Sequence, residues 1–314
     1  MIFFIIIICV VCAFGLNSLY KRTNHFNNQF VDVRKYWRED GIPDNLQIVN
    51  VGSNHPKFGF DYTDTGVRGI NLAIGPQTFE YDFAILRKNM SHLANKAVVV
   101  FPICLQNFFL FRQDNRAVHT KYYTFLEPRD IVGYSRKEKL YEIGFPLFRH
   151  PMRLRYLLKD VKMDNRLDWK ENPMKTEAEL EKDADFWIRC WDREFDIHIP
   201  SLDISDKNKE DIQQNIRIMK EMIGFCKKHD LKPVIAILPV TRYLSSRFAD
   251  DYLQTHVLRY INESAKVGAP VMNYLKDDRF TDSSLYINSF FFNKIGRKAF
   301  TKVFVEDLKM QGLL

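Results

Sequence analysis

Several things are scarce in this chain, and each scarcity excludes a class of protein. Cysteine occurs five times in 314 residues, too few and too scattered for a disulfide framework. Cys9 and Cys12 fall inside an apolar run, where their CxxC spacing is chance rather than a redox or zinc motif. Cys104, Cys190 and Cys226 stand singly and read as small buried hydrophobes. The chain has no HExxH, no glycine-rich phosphate loop and no paired Cys/His ligand spacing, so no metal and no cofactor is expected. It also has no basic tract of the kind that follows nucleic acid, because its net charge of +7 is spread along its length. Such a charge suits work beside anionic lipid or an acidic surface polymer. No internal repeat and no low-complexity segment is visible.

Side-chain charge is wholly missing from residues 1–20, and there the absence is informative. The run MIFFIIIICVVCAFGL, extended by NSLY, reaches the ~20 residues that span a bilayer as a helix, and Lys21 and Arg22 close it. A buried globular helix of this composition would need apolar surroundings on every side. Residues 1–20 therefore read as a single-pass membrane anchor or uncleaved signal segment, and residues 21–44 as a polar, aromatic linker. No small-residue pattern precedes the early cysteines, which argues against lipidation. Taken alone, Lys21 and Arg22 would hold the body in the cytoplasm by the positive-inside rule.

Beyond the linker, residues 46–62 read LQIVNVGSNHPKFGFDY, an apolar strand that breaks at Gly52 into Ser53, Asn54 and His55. This is how a buried parallel strand ends at the carboxyl edge of a sheet, where open α/β sheets bind ligands. The plain alternative is a strand-to-helix turn with capping residues. A second strand is expected over 69–74 and an amphipathic helix over 77–95, with Phe79, Phe83, Leu86, Met90 and Leu93 in one stripe. Further strands are expected over 97–103, 232–238 and 269–274. Helices are expected after Ser205 up to His229, over 247–265, and over 294–311 with Ile295, Ala299, Val303, Val305 and Leu308 mostly inward. Strand and helix alternate at βαβ spacing, which predicts a mainly parallel sheet covered on both faces. Residues from about 110 to 200 differ in character and read as an inserted helical subdomain or lid. Within it Trp187 and Trp191 are expected in the core, with stacking on sugar rings as the alternative.

The pieces VNVGSNHPKFGFDY, GINLAIGPQTFEYDFAIL, AVVVFPI, KPVIAILPV and NKIGRKAFT, in this order, resemble the SGNH/GDSL hydrolase superfamily from about Ile48 to the C-terminus. The closer likeness is to the membrane-anchored, envelope-associated branch related to the D-alanyl-lipoteichoic acid biosynthesis protein and to polysaccharide O-acetylation partners. The resemblance implies an α/β, three-layer, flavodoxin-like fold over 45–314, with the helical insertion and the N-terminal transmembrane helix added. In that family the nucleophilic Ser is the second residue after the glycine, and a terminal block carries Asp-x-x-His followed by Leu-Asn-x-x-Gly. His takes the Ser proton, Asp orients the imidazole, and a backbone amide helps hold the oxyanion. Laid on that pattern without gaps, this chain has Asn54 at the nucleophile, Asn288 at the Asp and Phe291 at the His. Asn293 and Gly296 match the remaining Asn and Gly. Gly52, Asn71 and Asn293 are the implied oxyanion or pocket positions.

A carboxamide cannot replace the hydroxyl nucleophile, a neutral Asn cannot stabilise an imidazolium, and Phe cannot accept a proton. The first expectation is therefore a catalytically impaired SGNH-like envelope protein that binds or presents an acylated surface glycan or a partner in polysaccharide modification. The second is a live serine esterase or O-acyltransferase using Ser53, with His55, His119 or His150 as base and Asp282 to orient it. The third is a structural scaffold for a membrane-bound O-acyltransferase, which predicts a pocket filled by Phe290, Phe291 and Phe292. The family also implies an extracytoplasmic body, against the pull of Lys21 and Arg22.

Overall fold

The run Leu46–Asn50 is buried at four of its five positions and forms β1. It is joined by β2 (Gly69–Asn71), β3 (Leu93–Ile103), β4 (Lys232–Ile237) and β5 (Val271–Asn273) in a sheet of order β2-β1-β3-β4-β5. Every neighbouring pair is parallel. The order reverses between β1 and β3, so the crevice at their carboxyl ends is the topological switch point of a doubly wound sheet. The computed structural model describes residues 2–37, 41–109, 119–159, 176–199 and 201–314. The principal helices are α1 (Ile2–Lys21), α2 (Asn54–Gly59), α3 (Phe79–Lys88), α4 (Glu177–Phe195), α5 (Asp206–Lys228), α6 (Arg259–Ala265) and α7 (Lys294–Met310).

The chain divides into two compact units, the first from residues 1–42 and 114–167, the second from 43–113 and 168–314. The sheet belongs to the second. Ile48, Val98, Val100, Val234, Ala236 and Met272 turn to one face and pack against Phe300, Phe304, Val305 and Leu308 of α7. Each fully buried Val, Ile, Leu or Phe among them contributes about 1.5–3 kcal/mol. Their sequence neighbours Val49, Val99 and Ile235 point the opposite way and are equally buried. Helix α5 contacts β4 and α3 and shares no residue with the α7 layer.

Local chemistry sets the ends of these elements. Ser205 caps α5 through the Asn208 amide at 3.2 Å, and Thr176 and Glu179 form a capping box on α4. Asn293 caps α7, its Oδ1 accepting from Ile295 and Gly296 amides at 2.9 Å while its Nδ2 donates to the Ser284 carbonyl at 2.6 Å. At Gly296 an added Cβ would stand 2.0 Å from the Leu285 carbonyl oxygen and 2.6 Å from the Phe292 ring.

The structure differs from the sequence pattern in several places. The helix expected over 77–95 ends at Lys88, and β3 starts at Leu93 rather than 97 because Lys96 adopts φ 59° and the β1–β3 register shifts to take up the irregularity. The inward stripe of α7 runs through Phe300 and Phe304, while Ile295 is 70% exposed. The helix expected over 247–265 begins at Asp250 and contains a π-helical stretch, Gln254–Leu258. The insertion expected over about 110–200 is divided, residues 119–159 falling in the first unit and α4 in the second. The linker holds the short helix that Val31, Tyr36 and Trp37 suggest, at Val31–Tyr36, and a further one at Asn24–Asn28 that the sequence does not announce.

In the first unit α1 is long and apolar enough to cross a membrane, with hydropathy 2.7 and only 6% of its apolar window buried. Its last turns are held by neighbours in the same unit. Asn17 donates to the Gly144 carbonyl at 2.9 Å and accepts from the Leu147 amide at 3.3 Å. The Phe14 ring meets Phe145 at 5.2 Å and Phe148 at 5.8 Å.

Because the Leu285 carbonyl is backbone and cannot swing away, Gly296→Ala is expected to lower stability by about 1–3 kcal/mol. A urea midpoint equal to that of the unmodified chain would sink this account of the α7 entry.

Candidate functional site at the carboxyl edge of β1

Gly52 ends β1 with φ 120°, and an added Cβ would stand 2.4 Å from Pro56 Cγ. Glycine alone meets both conditions, the left-handed backbone and the close approach of Pro56. The Gly52 carbonyl accepts from the Ile74 amide at 3.0 Å and from Gln77 Nε2 at 3.1 Å. Ser53 Oγ accepts from the Gln77 amide at 3.0 Å. Asn54 is the first residue of α2, and its Oδ1 lies where a Cβ on Gly75 would come within 1.5 Å. Asn71 is fully engaged by backbone and by Asn50. Its Nδ2 donates to the Pro56 carbonyl at 2.9 Å and the Phe60 carbonyl at 3.1 Å, and its Oδ1 accepts from Asn50 Nδ2 at 2.8 Å and the Ala73 amide at 3.0 Å. Asn71 thus ties β2 to the end of α2 rather than presenting a free amide to an oxyanion.

The terminal block folds as a tight loop. Tyr286 and Phe292 form an antiparallel bridge, and the Ile287 amide donates to the Phe291 carbonyl at 2.8 Å. Asn288 Oδ1 accepts from the Phe290 and Phe291 amides at 2.9 and 2.7 Å, an Asx turn that shapes the loop. Ser289 donates through its amide and hydroxyl to Asp183 of α4 at 2.9 and 2.7 Å, and its carbonyl accepts from Thr241 Oγ1 at 2.8 Å. Held in this way, the loop turns Phe290 and Phe291 inward. Phe290 lies 4.3 Å from the His55 ring, 5.1 Å from Trp187 and 5.1 Å from Trp191. Phe291 lies 5.0 Å from Phe58 and 5.5 Å from Trp187. Phe290, Phe291 and Phe292 are all buried.

His55 is part of this aromatic cluster, at 2% exposure. Neither ring nitrogen has a hydrogen-bond partner of full geometry. Burial outweighs the backbone of Pro239 and Phe290, which favours the protonated ring, and lowers the pKa to about 3. The ring is neutral at physiological pH. Ser53 turns toward Gln77 and His55 toward Phe290, and no hydrogen bond joins the two. His119 and His150 belong to the first unit, where His150 Nε2 lies 3.7 Å from Glu142. Asp282 is exposed and accepts from the amide and hydroxyl of Ser284 at 2.8 and 2.7 Å, bonds that hold its carboxyl below the usual range. It caps its own turn.

Two residues that the sequence reading passed over complete the edge. Asp82 of α3 is buried and bonded to Gln77 Nε2. Burial pushes its carboxyl up to about 7 against the bonds from Gln77 and the Gly52 backbone. A line of bonds therefore runs from the Gly52 turn through Gln77 to Asp82. The available signal was a carboxylate at position 82 on the same helical face as Phe79 and Leu86. After β3, Cys104 Sγ lies 2.9 Å from Asn107 Oδ1, and burial pushes the thiol up to about 12, so it is not a thiolate nucleophile. Among the described residues no group of three or more His, Cys, Asp or Glu side chains is placed to hold a metal ion. A groove of about 530 Å³ on α5 and α6, lined by Ile216, Arg259, Tyr260, Glu263 and Lys266, contains none of the edge residues. No protein-family model matches the chain, and no curated protein matches it.

His55 and Asp82 impose opposite pH dependences on stability. The unfolded chain protonates His55 near pH 6.5 and the folded chain resists until about 3, so this contribution is lost as pH falls through that window. Unfolded Asp82 ionises near 3.8 and folded Asp82 near 7, so its contribution is lost as pH rises between them. His55→Phe is expected to relieve acid destabilisation by a few kcal/mol, most visibly near pH 4 in urea melts. Asp82→Asn is expected to stabilise by a similar order, on the scale of about 1.4 kcal/mol per pKa unit, near pH 8 and not near pH 4. A difference from the unmodified chain that stays flat with pH would refute either assignment.

Proposed function

We propose that this chain is a membrane-anchored SGNH-like protein that has lost hydrolysis and serves as a structural partner in a cell-envelope acyl-transfer assembly. The partner class this reading names is a membrane-bound O-acyltransferase, and it puts the second unit outside the cytoplasm. The observation that carries it is the aromatic packing of Phe290, Phe291, Trp187 and Trp191 around His55. A serine hydrolase needs a basic imidazole facing its nucleophile. Here Ser53 Oγ is engaged by the Gln77 amide, and the adjacent His55 packs tilted against Phe290 with its basicity lowered by burial to a pKa of about 3.

Glycan binding, the other non-catalytic reading, needs an open pocket at this edge, and buried Phe290 and Phe291 stand against it. Relics of the hydrolase frame keep structural tasks. Gly52 makes the turn, Asn293 caps α7 and Gly296 lets α7 close on Leu285.

The test is fluorophosphonate labelling of the full chain in detergent micelles, beside Ser53→Ala and a heat-denatured control. No labelling above the denatured control is expected in either folded sample. Labelling of the unmodified chain that disappears in Ser53→Ala would show an activated serine and return the chain to the enzymes.

A further inference from the structure

In the first unit, the segment that grips the end of α1 is itself unusually apolar on its outside. Leu140 is 51% exposed, Phe148 50%, Met152 77%, Leu154 38% and Leu158 90%. Arg153 and Arg155 lie between them, and Lys159 follows Leu158. Residues 136–159 carry seven Lys and Arg against two Glu, and both Glu residues, Glu138 and Glu142, are paired with Arg149.

The depth of this segment follows from α1. A helix rises about 1.5 Å per residue, so Phe14 lies roughly 10 Å along the axis from Lys21. Lys21, at the charged end of α1, belongs at the headgroups of a bilayer that takes ~20 residues to span. Phe14 therefore sits among acyl chains, and Phe145 and Phe148, at 5.2 and 5.8 Å from its ring, sit beside it. Asn17 lies between Phe14 and the charged end, where an unpaired carboxamide in hydrocarbon is costly. Its bonds to the Gly144 carbonyl and the Leu147 amide satisfy it there. The short helical turns that follow, Pro146–Arg149, Pro151–Leu154 and Arg155–Leu158, all touch α1.

We propose that residues 140–158 are a second membrane contact, lying in the interfacial and outer acyl region of the leaflet at the Lys21 end of α1. Phe148, Met152 and Leu158 enter the acyl layer, and Arg153, Arg155 and Lys159 meet anionic headgroups, the arrangement of an interfacial amphipathic segment. The inference rests on α1 being the membrane anchor, and it accounts for why an apolar, basic surface adjoins that helix. It makes the anchor a two-element device that fixes the tilt and rotation of the first unit on the bilayer, which one helix alone leaves free.

The experiment uses the full chain with Cys9, Cys12 and Cys190 replaced by Ala, reconstituted into vesicles of phosphatidylcholine and phosphatidylglycerol. Nitroxide labels are placed singly at Met152→Cys, Leu158→Cys, Val10→Cys in α1 and Asp206→Cys as the aqueous reference. Oxygen and nickel-chelate accessibilities are read by electron paramagnetic resonance. The ratio of oxygen to nickel accessibility at 152 and 158 is expected to exceed that at 206 by several-fold and to fall on the side of position 10. Water-like ratios at both 152 and 158 with a lipid-like ratio at 10 would overturn the proposal and assign this surface to a protein partner. A water-like ratio at 10 as well would remove the anchor reading along with it.

Discussion

The turn at Gly52 is the constraint on which the carboxyl edge depends. A parallel strand must leave the sheet abruptly for its helix to fold back, and here the chain does so at φ 120° with Pro56 pressed against the missing Cβ. The carbonyl freed by that turn collects Ile74 from the β2 connection and Gln77 from the approach to α3. Three segments are thereby tied to one backbone group. Gln77 in turn bonds the buried Asp82, whose carboxyl burial raises to about 7.

The other side of the edge is organised by different forces. Asp183, Thr241 and the Asn288 side chain fix the 286–292 loop through hydrogen bonds to its backbone and to Ser289. Their combined effect is to drive two phenylalanines inward onto His55 and two tryptophans. Aromatic burial of this extent is strongly favourable, and it leaves His55 an imidazole of much reduced basicity. A polar catalytic arrangement and this apolar one are mutually exclusive at the same place, because a charged intermediate in such surroundings would lack solvation.

Much of the fold was legible from pattern. Apolar runs of five or six residues at βαβ spacing announced β1, β4 and a parallel sheet, and Ser205 announced α5, because these signals are local and repeat with the period of the structure they form. Boundaries that depend on distant partners were not legible. The early start of β3 arises from pairing with Leu46 across a register shift. The inward face of α7 runs through Phe300, Phe304 and Leu308 at helical spacing, a stripe the expected set missed in part by starting at Ile295, and Phe280, Phe292 and Tyr274 pack against it. Within the site, the sequence singled out Gly52, Ser53, Asn54 and His55 because they follow a strand. It passed over Asp82 and Gln77, whose importance comes from burial beside that turn.

By itself the sequence determined that the chain carries a helix suited to a bilayer and a parallel α/β body, and it singled out the polar residues that follow the first strand. Those statements follow from composition and periodicity, which fix how much apolar surface each segment must hide and with what spacing. Only the tertiary structure decided what the marked residues do. Asn71 and Asn293 became backbone caps, Asn288 became a turn, and His55 became a neutral ring in an aromatic cluster. A side chain's protonation state and partners depend on what the rest of the chain brings within a few ångströms, and sequence spacing does not carry that information.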